Sequence, residues 1–421
     1  MTKLSNEQIE QNFADINPPL NQAEAVFEAN RCLYCFDAPC TRACPTHIDV
    51  PQFIKKIASG NLTGSARVIF DANPIGATCA RVCPVDVLCE GACVEKTLMA
   101  KPIEIGRLQR YATDYAFEGG RRIFQRGKAN GKSVGIVGSG PAGLSCATYL
   151  ARLGYAVTIY DKKSLPGGLD TYGMAEYKMS QAVSIAEAKQ VENLGVEFRL
   201  NCEILSEPPA LAGGLISTDT NANDKPSANA NGSDKIFFAD LQSKHDAIFL
   251  GVGLGATNKL NVLGEDANGV FDALDFIERI KTRDWKNVPI GKIVVVIGAG
   301  NTAIDAVTQA KRLGAERVLM IYRRTERDIS AYEYEYELAK KDGIEFVWQT
   351  APIEILTDEN NSVVGLRCER TGDSNQILEI PCDMIIKAIG QQKQTGFFQN
   401  LNIELDEKGR VRINDLMQTS N

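Results

Sequence analysis

The sequence predicts an α+β multidomain chain, in which a helical, cysteine-rich N-terminal domain precedes two Rossmann-like α/β domains. Eight of the twelve cysteines lie between Cys32 and Cys93, among segments of helical pattern at Val50–Ser59, Leu62–Asp71 and Glu104–Phe117. From Lys132 onward, apolar strands, glycine-rich turns and helices alternate, as they do in α/β domains, and this pattern occurs twice. We therefore expect a helical domain over 1–125, nucleotide-binding domains over 126–289 and 290–391, and a return to the first of these over 392–421.

The composition is that of a soluble globular protein, with 44% hydrophobic and 24% charged residues over 421 positions. The net charge of −7 supplies no basic stripe for nucleic acid, and no apolar run reaches the roughly 18 residues of a membrane span. The polar N-terminus lacks the apolar core of a signal peptide. We expect a cytoplasmic protein without nucleic-acid or membrane partners, and a mobile surface loop over the polar segment 217–235.

The clustered cysteines form two runs, Cys32-x2-Cys35-x4-Cys40-x3-Cys44-Pro45 and Cys79-x3-Cys83-Pro84-x4-Cys89-x3-Cys93. Iron–sulfur clusters are held by cysteine thiolates, and in two-cluster ferredoxins the last Cys-Pro of a run ligates the other cluster. This spacing predicts two clusters, with Cys44 crossing to the second. A pair of four-cysteine zinc sites is the alternative, because soft sulfur ligands also suit zinc. The isolated cysteines are expected to be core residues: Cys146, Cys202, Cys368 and Cys382.

The first glycine-rich turn follows an apolar strand and forms a complete G-x-G-x-x-G motif, made of Gly138, Gly140, Pro141, Ala142 and Gly143 around Ser139. The next strand ends in Asp161. Glycines let the backbone approach a pyrophosphate at a helix N-terminus, and the acid binds a ribose hydroxyl. Gly167 and Gly168 would permit close passage along the same nucleotide. We interpret this unit as the FAD site, the alternative being a Rossmann unit without a ligand.

The second glycine-rich turn has alanine at the third motif position, an allowed variant: Gly298, Ala299, Gly300, Asn301, Thr302, Ala303. Its second strand ends in Arg323 and Arg324, where the first unit has an acid. The arginine fork pairs with the 2′-phosphate of NADP, so NADPH is favoured over NADH; two solvated surface arginines are the alternative. We expect no catalytic side chain, because the redox chemistry belongs to the cofactors.

The ordered combination of CLYCFDAPCTRACP, CARVCPVDVLCEGAC, IEIGRLQR, GSGPAGLSCATYLARLGY, GAGNTAIDA and IIKAIGQ resembles the electron-input module of bacterial dihydropyrimidine dehydrogenase. It is also similar to the small subunit of glutamate synthase, which shares the plan. The resemblance implies two [4Fe-4S] clusters, one held by Cys32, Cys35, Cys40 and Cys93, the other by Cys44, Cys83, Cys89 and Gln109. Cys79 would then be a non-ligand.

The resemblance also implies where the nucleotides lie. FAD would lie along Gly140–Ala142 and then Asp161–Leu169, with Lys178 standing where the family's dehydrogenases often carry an arginine of the flavin loop. NADPH would contact residues of the second turn, both arginines and a turn near residue 390: Ala299–Thr302, Arg323, Arg324, Ala388, Ile389 and Gly390.

The activity implied is transfer of electrons from NAD(P)H through FAD and both clusters to an FMN-containing partner subunit, which reduces uracil or thymine or oxidises their dihydro forms. Delivery of electrons for glutamate formation is the closest alternative, and a zinc-stabilised scaffold with inactive Rossmann domains is one of another class. The family continues beyond the strand-like Arg410–Asn414 with a turn that touches FAD. The segment 392–421 is therefore expected to be incomplete.

Overall fold

The computed structural model describes residues 4–205, 234–282, 284–372 and 376–420. The chain divides into two compact units, each assembled from several stretches of sequence. The larger unit comprises Asn17–Thr171, Ala182–Gly253 and Lys393–Asn421, and the smaller unit comprises Met1–Ile16, Tyr172–Gln181 and Leu254–Gln392.

The helices of the described residues are α1 Asn6–Asn12, α2 Gln22–Asn30, α3 Pro39–Ala43, α4 Val50–Ala58, α5 Leu62–Ala72, α6 Gly76–Val82, α7 Val94–Met99, α8 Ile105–Glu118, α9 Pro141–Arg152, α10 Leu169–Tyr172, α11 Gln181–Glu192, α12 Phe238–Lys244, α13 Ala273–Thr282, α14 Asn301–Arg312, α15 Glu333–Lys341 and α16 Thr395–Asn400. The strands are β1 Ser133–Val137, β2 Ala156–Tyr160, β3 Glu197–Arg199, β4 Cys202–Leu205, β5 Asp234–Phe237, β6 Ala247–Leu250, β7 Val270–Asp272, β8 Ile293–Ile297, β9 Arg317–Ile321, β10 Glu345–Val347, β11 Thr350–Thr357, β12 Val363–Arg370, β13 Ile377–Pro381 and β14 Met384–Lys387.

The N-terminal part of the larger unit is helical, and the three helices predicted there match α4, α5 and α8 to within one residue at each end. Their apolar positions recur every three to four residues, which places them on one face of each helix. Val50, Phe53, Ile54 and Ile57 of α4 are all buried and join one hydrophobic core with Leu108 of α8. Cys44 belongs to this core, and Cys32, Cys40, Cys89 and Cys93 pack against it.

The larger unit also contains a four-stranded parallel sheet in the order β3-β2-β1-β6. Helix α9 follows β1 directly, so the first glycine-rich turn lies at the carboxyl end of a central strand. Residues 217–233 of the predicted loop lie outside the described residues. Its last two residues, Asp234 and Lys235, instead begin β5, because they pair with Cys202 and Glu203 of β4 in a parallel ladder.

The smaller unit is built on a five-stranded parallel sheet in the order β10-β9-β8-β14-β7, accompanied by an antiparallel sheet of β11, β12 and β13. Val294, Val295 and Val296 of β8 are fully buried, as is typical of a strand covered on both faces. The second glycine-rich turn leaves β8 between β9 and β14. Ligands of open α/β sheets bind at such a point, where the strand order reverses.

Two further findings concern chain segments discussed above. The strand expected at Arg410–Asn414 is absent from the described residues: Val411 makes a single antiparallel bridge to Leu405, too little pairing for a strand. Among the helices described, none is long and apolar enough to cross a membrane.

Candidate functional site

The first cysteine site consists of Cys32, Cys35, Cys40 and Cys93, which line one small cavity of the larger unit. Cys32 follows α2, Cys40 lies in α3, and Cys93 caps the start of α7. The cavity wall also includes Glu95 and several apolar side chains: Leu33, Val50, Ile54, Ile103 and Ile105. Tertiary structure thus gathers four thiols from distant positions, three from the first run and one from the second.

The second cysteine site consists of Cys44, Cys79, Cys83, Cys89 and Gln109, which line a neighbouring cavity of the same unit. Cys44 ends α3, Cys83 ends α6, and Gln109 projects from α8. Gln109 is buried, and its Nε2 donates a hydrogen bond to the carbonyl oxygen of Gly76 over 2.7 Å. The amide oxygen of Gln109 is therefore the atom that could coordinate a metal, because the amide nitrogen donates this hydrogen bond.

Cys79 and Cys83 share a hydrogen bond that separates their pKa values. It lowers the pKa of Cys83 and, together with burial, raises the pKa of Cys79.

Glycines of the first turn lie where a residue with a Cβ atom would collide with neighbouring backbone atoms. Gly138 has a φ of 102°, and a Cβ there would collide with the carbonyl oxygen of Gly251 at the end of β6. A Cβ on Gly168 would lie 2.8 Å from the Cα of Gly140, so the two backbones approach closely. The Gly167 amide also donates to the Ser139 carbonyl over 3.0 Å. The structure thus brings the first glycine-rich turn and the Gly167-Gly168 pair together at the start of α9.

Asp161 lies beside this turn at the end of β2. Its Oδ2 accepts hydrogen bonds from the amide of Ser139 over 2.7 Å and from the Ser139 hydroxyl over 2.6 Å. Gly138 and Asp161 line one cavity of about 240 Å³, together with Lys162, Cys202 and Glu203. The exposed Leu169 begins α10 directly after Gly168.

Lys178 belongs to the smaller unit, whereas the other residues predicted for FAD belong to the larger unit. Its Nζ is 2.6 Å from Asp305 Oδ1 and 2.5 Å from Glu335 Oε1, and all three side chains are buried. The two carboxylates raise the pKa of Lys178 against the opposing effect of burial. The amine is thus occupied by an internal ion cluster, and the predicted flavin contact of Lys178 stays a prediction.

The second glycine-rich turn opens into the large cavity of the smaller unit, about 860 Å³ in volume. Nine of the ten residues predicted to form this nucleotide site line it: Gly298, Ala299, Gly300, Thr302, Arg323, Arg324, Ala388, Ile389 and Gly390. Gly298 has a φ of 133°, and a Cβ there would collide with the Ala388 carbonyl. The tenth residue, Asn301, is absent from the wall; its Oδ1 accepts a hydrogen bond from the amide of Tyr332 over 3.0 Å.

Both arginines of the pair are exposed, and neither guanidinium forms an ion pair with a described residue. The sequence analysis missed Lys259, a third cation on the same cavity wall, and Ser330, which donates a hydrogen bond to the Ala299 carbonyl. Neither residue lies in a recognisable sequence motif. Both are close to the second glycine-rich turn only because distant segments of the chain fold against it. Three cations around a nucleotide-sized cavity suit a phosphate-bearing ligand.

The family described as "Pyridine nucleotide-disulphide oxidoreductase" matches residues 132–421, and the family described as "Dihydroprymidine dehydrogenase domain II, 4Fe-4S cluster" matches residues 9–121. The chain belongs to the pyridine nucleotide-disulphide oxidoreductase family, with an N-terminal 4Fe-4S domain.

The curated relatives of this oxidoreductase include glutamate synthase small chains, dihydropyrimidine dehydrogenase subunits and putative oxidoreductases. The glutamate synthase [NADPH] small chain of Escherichia coli (strain K12) is 32% identical over 97% of this chain and 87% of its own length. The NAD-dependent dihydropyrimidine dehydrogenase subunit PreT of Salmonella typhimurium is 31% identical over 94% and 87%. The PreT subunit of Escherichia coli (strain K12) is 32% identical over 93% and 86%. The resemblance read from the motifs is confirmed.

A solved structure supports the fold alone. A 2-naphthoyl-CoA reductase is 18% identical to this oxidoreductase, with a TM-score of 0.52 over 85% of this chain and 44% of that one. The predicted fold class, a 4Fe-4S domain followed by nucleotide-binding α/β structure, is confirmed by the family matches.

The donor sets fit the cofactors of this family. Four thiols line each of the two cavities, and cysteine thiolates are the ligands that hold iron–sulfur clusters. Burial raises the pKa of Cys40 to about 11 and also raises the pKa of Cys89. Metal binding must therefore displace protons from these thiols.

Proposed function

We propose that this oxidoreductase is the electron-input subunit of a hetero-oligomeric enzyme. It would take electrons from NADPH and pass them through FAD and two [4Fe-4S] clusters to an FMN-containing partner. The partner would reduce a uracil- or thymine-like ring, or oxidise its dihydro form. When bound, the nicotinamide supplies hydride, the flavin divides the electron pair, and the clusters carry single electrons.

The observation that carries the proposal is the grouping of eight cysteines and Gln109 around two cavities in one compact unit. Each cavity offers four ligands without drawing on an isolated cysteine of the α/β region. The first site would use Cys32, Cys35, Cys40 and Cys93, and the second Cys44, Cys83, Cys89 and Gln109. An oxygen ligand among three thiolates changes the net charge of a cluster and hence its potential.

The chain's residues provide binding and orientation for the two nucleotides. The amides at the start of α9 and the carboxylate of Asp161 would hold the pyrophosphate and ribose of FAD. In the smaller unit, Arg323, Arg324 and Lys259 face a cavity of nucleotide size. Their charges favour a ligand that carries an additional 2′-phosphate, which supports the preference for NADPH.

The partner is supported by the surface around the first cysteine site. Leu33 is 52% exposed and Phe36 is fully exposed within the first cysteine run, and Leu98 and Met99 are exposed shortly after Cys93. Apolar side chains grouped on a protein surface are typical of an interaction site. Because Leu33 lines the cavity of the first cysteine site, a protein bound at Leu33 would be close to an electron donor.

An anaerobic visible-light titration tests the proposal. The holoprotein is titrated with NADPH and then with NADH. We expect the flavin bands to bleach together with a broad iron–sulfur shoulder, more efficiently with NADPH. Removal of iron should abolish electron delivery to an FMN partner and spare flavin reduction. Delivery that persists without iron refutes the relay, and a colourless protein that contains zinc indicates the scaffold instead.

A second candidate is delivery of electrons for glutamate formation, because the glutamate synthase small chain is as similar to this protein as the PreT subunits are. Reconstitution distinguishes the two. Under the first proposal, NADPH oxidation becomes uracil-dependent when an FMN-containing dihydropyrimidine dehydrogenase subunit is added. Under the second, it becomes dependent on glutamine and 2-oxoglutarate when a glutamate synthase large chain is added.

A further inference from the structure

A buried carboxylate on α11 is hydrogen-bonded to the helix that leads into the second cysteine site. Glu187 is 2% exposed. Its Oε1 accepts hydrogen bonds from the amides of Ala77 over 2.8 Å and Thr78 over 3.0 Å, and its Oε2 accepts one from the Thr78 hydroxyl over 2.5 Å. These donors belong to the first turn of α6, where Ile75 offers no capping side chain. Glu187 thus satisfies amides that the helix leaves without partners.

The same turn of α6 holds Gln109. The Gly76 carbonyl accepts the Gln109 amide hydrogen bond, and Gly76 directly precedes the two residues bound by Glu187. The other end of α6 is Cys83. One carboxylate therefore anchors the segment that orients Gln109 and carries Cys83, two members of the second cysteine site.

The same helix also reaches the first glycine-rich turn. Ser184 lies one helical turn before Glu187, on the same face of α11. Its hydroxyl contacts the Thr171 hydroxyl, which donates to the carbonyl of Pro166. Pro166 directly precedes Gly167. Helix α11 therefore contacts, within the larger unit, both Thr171, which is hydrogen-bonded to the residue that precedes Gly167, and the helix that leads into the second cysteine site.

We propose that Glu187 is a positioning residue of the second cysteine site, and that its charge and its hydrogen bonds to α6 lower the reduction potential of the cluster held there. The inference rests on the proposed function, because it presupposes that cluster. A fixed negative charge in a buried, poorly solvated place opposes the addition of an electron nearby. Removing the charge should raise the potential of this cluster and leave the other unchanged.

The test is a redox titration of the holoprotein followed by electron paramagnetic resonance. At pH 9 the Glu187 carboxylate is ionised, since burial raises its pKa only to about 7. We expect Glu187→Gln to shift the midpoint of one cluster to a more positive potential. Glu192→Gln is the matched control: it removes the same charge from an exposed position on the same helix, and both midpoints should stay unchanged. Glu187→Asp keeps the charge with a shorter reach, so its shift should be smaller.

Unchanged midpoints and resonance line shapes in both Glu187 variants would overturn the proposal, even if their melting temperatures fell, because the role would then be structural only. If Glu187→Gln fails to retain its clusters, Glu187→Asp decides alone: an altered midpoint or line shape of one cluster supports the inference, and wild-type signals overturn it. Iron and sulfide analysis of the wild type separates this result from the proposed function. Iron sufficient for only one cluster refutes the two-cluster proposal whatever Glu187 does.

Discussion

The nucleotide preference gives the sharpest prediction, through the replacement Arg323→Ala. The Arg323 guanidinium lines the cavity beside the second glycine-rich turn and has no carboxylate partner among the described residues. A hydrogen bond to a charged group contributes about 1.5–3 kcal/mol. Because Arg323 is exposed, solvent screening reduces this to about 1–2 kcal/mol. The ratio of kcat/KM for NADPH to that for NADH should therefore fall about 5- to 30-fold.

The assay is steady-state reduction of a small artificial acceptor with each nucleotide, which needs no partner protein. The kcat/KM for NADH should be nearly unchanged, because NADH has no 2′-phosphate to lose its contact. Arg327→Ala is the matched control: Arg327 is exposed and close in sequence, and it does not line the cavity. A ratio that is the same in wild type and Arg323→Ala would refute the assignment of the 2′-phosphate to this residue.

Three further predictions concern the larger unit. Because burial raises the pKa of Glu187 from 4.5 to about 7, the unfolded chain ionises at lower pH than the folded one. Wild type should then lose about 3 kcal/mol of stability relative to Glu187→Gln as the pH rises through this range. Urea unfolding of both proteins at pH 5 and pH 8 measures this change. The prediction is contradicted if the difference between their unfolding free energies is the same at both pH values. Cys79→Ser should retain all iron, whereas Cys83→Ser should lose about half; iron analysis decides, and equal losses would make Cys79 a ligand. Phe36→Ser should slow reduction of an FMN partner without slowing reduction of a small acceptor. Leu416→Ser, which alters another exposed apolar residue, is its control, and equal effects would exclude a specific docking surface at Phe36.

Local features of the sequence determined the elements of the fold. Helices α4, α5 and α8 were predicted to within a residue at each end, because the apolar period of a helix depends only on neighbouring positions. The strands β1 and β8 and the turns that follow them could also be predicted from the sequence. A glycine motif after an apolar strand has a local steric meaning, shown by Gly138 and Gly298.

The membership of each cysteine site needed more than spacing. The two runs predicted that Cys44 crosses to another cluster, and the family resemblance added Gln109. In the structure, Cys93 lines a cavity with three cysteines of the first run, and Gln109 lines the other cavity; the ligand roles that the resemblance implies stay predictions. Spacing alone left the role of Cys79 open, because sequence distance does not report where a side chain lies relative to a cavity.

What the sequence by itself determined is the kind of protein: two cysteine runs in a helical domain, and two glycine-rich turns after apolar strands, with an acid after the first unit's second strand and two arginines after the second unit's. What only the tertiary structure decided are contacts between residues far apart in the chain. Glu187 meets Thr78, Lys178 is held between Asp305 and Glu335, and Lys259 faces the second nucleotide cavity. The reason is physical: periodicity and glycine sterics act over a few residues, whereas the partner of a buried charge is determined by how distant segments pack together.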